Sequence, residues 1–147
     1  MKVVLIGTGN VATVLGRLFE ASGHSIEQVY GRNSDTATTL AKQFNCAWVT
    51  DPALIITHSD LYLVAVSDNA IEEVCSQLHL GSQLTVHTAG SVSKEVLKNV
   101  SFEYGVFYPL QSLRSLAAKP GQIPEVAQIL PIWQPARRLG ILDVVLK

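Results

Sequence analysis

Gly7, Gly9 and Ala12, spaced as GxGxxA in Ile6-Gly7-Thr8-Gly9-Asn10-Val11-Ala12, carry the strongest chemical signal in this chain. The spacing suits a diphosphate resting on the first turn of a helix, where unpaired backbone N–H groups and the helix dipole favour negative charge. Gly7 permits the tight turn, and Gly9 lets phosphate approach the backbone with no Cβ in the way. Ala12 is small enough for the helix to pack closely on the strand. Glycines also mark ordinary turns, so context has to decide: a strand must precede the motif and a helix must follow. Both patterns are present.

The next position that matters lies about 20 residues further on, where a dinucleotide with a free ribose 2′-hydroxyl calls for Asp or Glu. Counting from Ala12 reaches Arg32, within Tyr30-Gly31-Arg32-Asn33-Ser34. Glu27 comes too early to reach a ribose. An arginine there pairs with a 2′-phosphate and stacks on adenine, with Asn33 and Ser34 adding hydrogen bonds. One or two charge-assisted hydrogen bonds, each worth about 1.5–3 kcal/mol net, give a preference of about tenfold to several hundredfold. NADP(H) is therefore expected over NAD(H).

Two later segments supply polar groups at strand ends. Ser67-Asp68-Asn69 either touches the nicotinamide ribose or caps the next helix, and the two readings stand equal. In His87-Thr88-Ala89-Gly90-Ser91, His87 is the histidine placed to supply the proton that carbonyl reduction needs. A histidine at a strand end is more often structural than catalytic. His24, His58 and His79 lack metal-ligand spacing, and no GxSxG elbow or P-loop occurs. No YxxxK of short-chain dehydrogenases is present, and Arg32 is awkward for a methyltransferase, whose second strand usually ends on an acid.

These groups require a scaffold, and the pattern provides one. Continuous aliphatic runs at 2–6 and 61–66 read as strands covered on both faces. Further strands are expected at 26–30, 46–49, 84–87 and 104–108. Helices are expected over 10–21, closed by Ser22-Gly23, and over 34–44, capped by Ser34 or Asp35. Others should start at Asp51-Pro52, after a cap at Asp68 or Asn69, and over about 92–98. Strands alternating with helices argue for an α/β fold with a doubly wound, mainly parallel sheet of the Rossmann type. Cys46 and Cys75 fit inward positions.

At 147 residues the chain fits one domain of roughly 150. Its 48% hydrophobic and 16% charged content supports a core. Eleven Lys and Arg against 12 Asp and Glu give a net charge of −1, leaving no basic stripe for nucleic acid and no polybasic membrane anchor. Apolar runs fall well short of the ~20 residues of a bilayer span, and two cysteines make no disulfide framework. A soluble, cytoplasmic protein is expected. Four of the six prolines, Pro120, Pro124, Pro131 and Pro135, fall in 114–147, which breaks helical continuity there.

Five segments in order resemble one family: residues 7–12, 30–32, 64–71, 87–91, and Val106-Phe107-Tyr108-Pro109-Leu110-Gln111. They are similar to the N-terminal domain of bacterial NADP oxidoreductases related to deazaflavin-dependent NADP oxidoreductase and pyrroline-5-carboxylate reductase. The resemblance implies an NADP-binding Rossmann domain over 1–113, with Gly7, Thr8, Gly9, Asn10, Val11 and Arg32 on the coenzyme. It also implies Ser67, Asp68 and Asn69 near the nicotinamide side. Such proteins pass hydride to or from a small carbonyl or imine substrate, and no substrate is implied for this subgroup. Relatives continue into a helical C-terminal domain that builds the dimer and half of the substrate pocket. Here the likeness fades after Leu113. The Pro-rich tail 114–147 belongs either to a short single-domain protein or, the favoured reading, to a product truncated or frameshifted near 113–115. Exposed apolar surface on the carboxyl side of the sheet would then favour a homodimer or another partner. A non-catalytic dinucleotide-binding or sensing module is the alternative.

Overall fold

The computed structural model describes residues 1–107. The expected tail and the far end of the strand placed at 104–108 lie outside the described residues. Six strands form one parallel sheet: β1 (Lys2–Ile6), β2 (Ser25–Tyr30), β3 (Ala47–Val49), β4 (Leu61–Val64), β5 (Leu84–His87) and β6 (Tyr104–Val106). Their order across the sheet is β3-β2-β1-β4-β5-β6. This is the doubly wound order of a Rossmann fold, and the winding reverses between β1 and β4.

The apolar runs are continuous because both faces of the sheet are covered. Val3 and Leu5 of β1 face a core built with Leu15 and Phe19 of α1 (Asn10–Ala21) and Leu40 and Phe44 of α2 (Ser34–Phe44). Val4 and Ile6 face the opposite core, with Ile71 and Val74 of α3 (Ile71–Ser76). Leu61 and Leu63 of β4 divide from Tyr62 and Val64 in the same way. Buried Gln28 is satisfied on both sides, donating to Leu54 O at 3.2 Å and accepting from Ile56 N at 3.0 Å.

Several expected boundaries shift, each for a local reason. Helix α2 is capped by Asn33, not by Ser34 or Asp35. Its Oδ1 accepts from the backbone of Asp35 at 2.9 Å and Thr36 at 3.1 Å, the reach a capping side chain needs. Cys46 belongs to the exit of α2, its N–H bonded to Ala41 O, and β3 begins one residue later. Burial pushes both the half-buried Cys46 and the buried Cys75 thiols up to about 11. The helix expected at Asp51-Pro52 is a 3-10 turn, Pro52–Leu54.

Strand β4 ends two residues before its apolar run does, because Ala65 N–H makes a last bond to Ile6 O at 2.7 Å and the chain then swings outward. Asp68–Ala70 forms a 3-10 turn ahead of α3, so neither Asp68 nor Asn69 caps that helix. The segment expected to be helical over 92–98 is a 3-10 turn, Lys94–Leu97, capped by Ser93. A longer helix with its costly nucleus gains little there, since the single turn already buries Leu97. The close of α1 is as expected, with Gly23 at φ +84°. Among the described residues no helix is long and apolar enough to cross a membrane.

Candidate coenzyme site

Strand register sets the site. Ile6 pairs with both Tyr30 and Val64, Tyr30 with Val49, and Val64 with His87. The carboxyl ends of five strands therefore stand level, and the segments leaving them share one edge. Each segment first extends the ladder by one bond: Gly7 N–H to Tyr30 O at 2.8 Å, Gly31 N–H to Val49 O at 3.2 Å, Thr88 N–H to Val64 O at 3.2 Å.

At the point where the winding reverses lies a cleft of about 270 Å³. Gly7, Thr8 and Gly9 floor it, Tyr30 to Asn33 form one bank, and Ala65 to Ser67 with Ala70 and Val74 form the other. Gly7 cannot be replaced without moving backbone. Its φ is +123°, and a Cβ there would stand 2.2 Å from Ala65 O. Gly31 has a related constraint, since a Cβ would come within 2.5 Å of the Thr8 methyl. Gly9 is the opposite case, with open space where its Cβ would project. The first turn of α1 has no side-chain cap from the described residues and no acidic residue. Uncapped N–H groups above open space are the donor set a diphosphate needs, so the residues present fit a dinucleotide.

The other expected contacts divide. Asn10 and Val11 do not line the cleft. Val11 packs on the α1–α2 core, so these two offer backbone N–H groups, not side chains. Arg32 is exposed on the β2 bank and lies 3.8 Å from Glu73 of α3, Nη1 to Oε2. Asn33 lines the cleft, but its carbonyl oxygen is committed to capping α2. Ser34 opens α2 and is not part of the cleft wall. Glu27 is held near the start of β2 by Ser59 Oγ at 2.5 Å and Lys2 at 3.4 Å, far from the fingerprint.

Ser67 reaches the cleft; Asp68 and Asn69 lie just outside its wall. Asp68 Oδ2 accepts from Ser91 Oγ at 2.6 Å, tying the β4 exit to the β5 exit. His87 is not brought into the cleft. It is fully buried, its Nε2–H donates to Ser93 O at 3.2 Å and its Nδ1 accepts from Ala89 N–H at 3.1 Å. Burial lowers its pKa, against smaller opposing effects from the Ser93 bond and the Asp68 charge. With both nitrogens bonded to backbone, the ring positions the 87–93 segment and has no nitrogen left to pass a proton.

Sequence reasoning missed four contributors. Thr36 meets Thr8, Oγ1 to Oγ1, at 3.0 Å and steadies the fingerprint loop. Ala70 and Val74 wall the β4 side, and Tyr30 walls the other. Burial raises the Tyr30 phenol pKa, with Arg32 pulling it down and Glu73 and Asp51 adding to the rise. The apolar period of Ile71, Val74 and Cys75 in the sequence is the signal that could have placed Val74 at the sheet.

Comparison with known proteins follows the same region. A structure from Bacteroides fragilis named as an NADP oxidoreductase superposes with a TM-score of 0.70 at 36% identity, over 77% of this chain and 45% of that one. Glycerol-3-phosphate dehydrogenase [NAD(P)+] of Staphylococcus aureus is 28% identical over 116 residues, covering 68% of this chain and 35% of the enzyme. Pyrroline-5-carboxylate reductase of Streptococcus pyogenes shares the fold, with a TM-score of 0.66 at 16% identity over 88% of this chain and 52% of that one. The chain thus spans about half or less of the length of these relatives. Residues 2–89 match the family described as NADP oxidoreductase, coenzyme F420-dependent, and the chain belongs to that family of NADP-binding oxidoreductase domains.

Proposed function

We propose that residues 1–107 bind NADP(H) across the carboxyl edge of β2, β1 and β4, and present the nicotinamide to a small carbonyl or imine substrate. The observation that carries this reading is the uncapped first turn of α1 beside Gly7 and Gly9, at the point where the winding reverses. Backbone N–H groups of residues 9–11 hold the diphosphate. Arg32 meets the 2′-phosphate from the β2 bank, with Asn33 Nδ2 beside it. The apolar faces of Ala70 and Val74 flank the adenine half. Ser67 lies toward the nicotinamide half, and the Asp68–Ser91 bond holds that bank in place. When bound, the coenzyme supplies or accepts hydride at C4 of its nicotinamide. The chain's own contribution is to fix the ring and keep one face open.

Titration with NADPH and NADH, followed by nicotinamide fluorescence, tests the binding. Arg32→Ala is expected to reduce the preference for NADPH by at least about tenfold, the value of one charge-assisted hydrogen bond. An unchanged ratio of the two dissociation constants would sink the 2′-phosphate assignment. NADPH oxidation in the presence of imines and small ketones tests the hydride step. Tight binding without turnover supports a coenzyme-sensing module instead.

A further inference from the structure

Arg32 and Glu73 come from opposite banks of the cleft. Arg32 leaves the end of β2, whereas Glu73 rides on α3 after β4, with β1 between those strands. Their side chains still meet, Nη1 to Oε2 at 3.8 Å, above walls formed by Tyr30, Ala70 and Val74. The Tyr30 phenol beneath them feels both charges. Each partner is about two-thirds exposed, at 64% and 66%, so the pair is weak and exchangeable.

We propose that Glu73 is a positioning residue for coenzyme specificity, competing with the 2′-phosphate for Arg32 and so restraining the preference for NADP(H) over NAD(H). The inference rests on the role given to Arg32 above. A 2′-phosphomonoester carries up to two charges and offers three acceptor oxygens to a guanidinium, so it displaces a single carboxylate. NADH has no 2′-phosphate to draw the guanidinium away from Glu73, and any stacking of Arg32 on adenine is common to both coenzymes. The competition therefore weakens one coenzyme and not the other.

Dissociation constants for NADPH and NADH should be measured on the parent, Glu73→Gln, Arg32→Ala and the double variant, at low and high salt. Glu73→Gln keeps the size and removes the charge. It is expected to tighten NADPH by about two- to fivefold, the scale of an exposed ion pair, with NADH unchanged. The gain should shrink at high salt and vanish in the Arg32→Ala background. Unchanged or weaker NADPH binding by Glu73→Gln overturns the inference. So does an equal gain without Arg32, which would mean direct repulsion of the phosphate. If Arg32→Ala fails to alter the NADPH to NADH ratio, the 2′-phosphate role of Arg32 falls and the role of Glu73 with it; if it alters the ratio and Glu73→Gln is silent, only the role of Glu73 falls.

Discussion

The carboxyl edge of the sheet is built in two ways. Over β1 and β2 the backbone does the work: Gly7 sits under Ala65 O, Gly31 against Thr8, and the first turn of α1 has no side-chain cap among the described residues. Over β4 and β5 side chains do it, through Asp68 to Ser91 and through the two backbone bonds of His87. The first half leaves donors open to a ligand. In the second, Asp68, Ser91 and His87 are tied internally and read as support for the bank rather than as reacting groups.

The sharpest contrast lies within the first half, between two glycines two residues apart. Gly7→Ala must accommodate a Cβ 2.2 Å from a carbonyl oxygen at φ +123°. Positive-φ strain alone costs about 1–3 kcal/mol, and the clash adds to it, so a loss of about 3 kcal/mol or more is expected. For a domain near this size that lowers Tm by more than about 12 °C. Gly9→Ala has φ −82° and open space, so it should cost no more than about 1 kcal/mol. Its NADPH affinity should nonetheless fall about tenfold or more, because the methyl occupies the phosphate's approach. Calorimetric melting and fluorescence titration of both variants would separate fold from site. Undiminished NADPH binding by Gly9→Ala would remove the phosphate from that turn.

His87 probes the other half. His87→Ala orphans the Ala89 N–H and the Ser93 carbonyl and opens a cavity, with an expected loss of about 2–4 kcal/mol. The NADPH to NADH ratio should not change. The pH dependence follows from burial, which lowers the folded-state pKa of His87 below 6.5 and does the same for His24. Between the lowered folded value and 6.5 the unfolded chain binds more protons than the native one, so stability rises with pH there. The contribution is fully present above 6.5 and is lost as pH falls from there through the lowered folded-state value. Urea unfolding of the parent should show this slope, and His87→Gln should show less of it. An equal slope in the variant would assign the effect elsewhere.

Legibility in the sequence follows the same division. Glycine-dependent backbone leaves a mark that few other residues could make, so GxGxxA, β1 and α1 could be placed before any coordinates. Arg32 was legible by its distance from the fingerprint, but its partner Glu73 was not, because that contact spans two crossovers. Asn33 was expected as a coenzyme contact and is the α2 cap, two uses that spacing alone does not separate. The 92–98 segment misled because Val92, Val96 and Leu97 satisfy a helical period, yet one 3-10 turn already buries Leu97. His87 lay where a proton donor was wanted; its commitment to Ser93 and Ala89 depends on a fold of the 88–93 segment that no periodicity encodes.

The smallest expected effect comes from Ser91→Ala, and it bears most directly on the contrast. The 2.6 Å bond to Asp68 is short and involves a carboxylate, but both residues are exposed and water can replace the hydroxyl. A cost of about 0.5 kcal/mol is expected, a Tm shift of less than about 4 °C. Coenzyme affinity should stay within about twofold, since a weak surface contact can transmit no more than its own free energy. What should change is local: the Asp68–Ala70 turn loses its tether to the β5 exit, so the Ala70 amide, bonded to Ser67 O at 2.9 Å, should exchange faster with solvent. Loss of NADPH binding with Tm intact would show that Ser91 or Asp68 touches the coenzyme directly. The Asp68–Ser91 tie would then be part of the binding face and not its support.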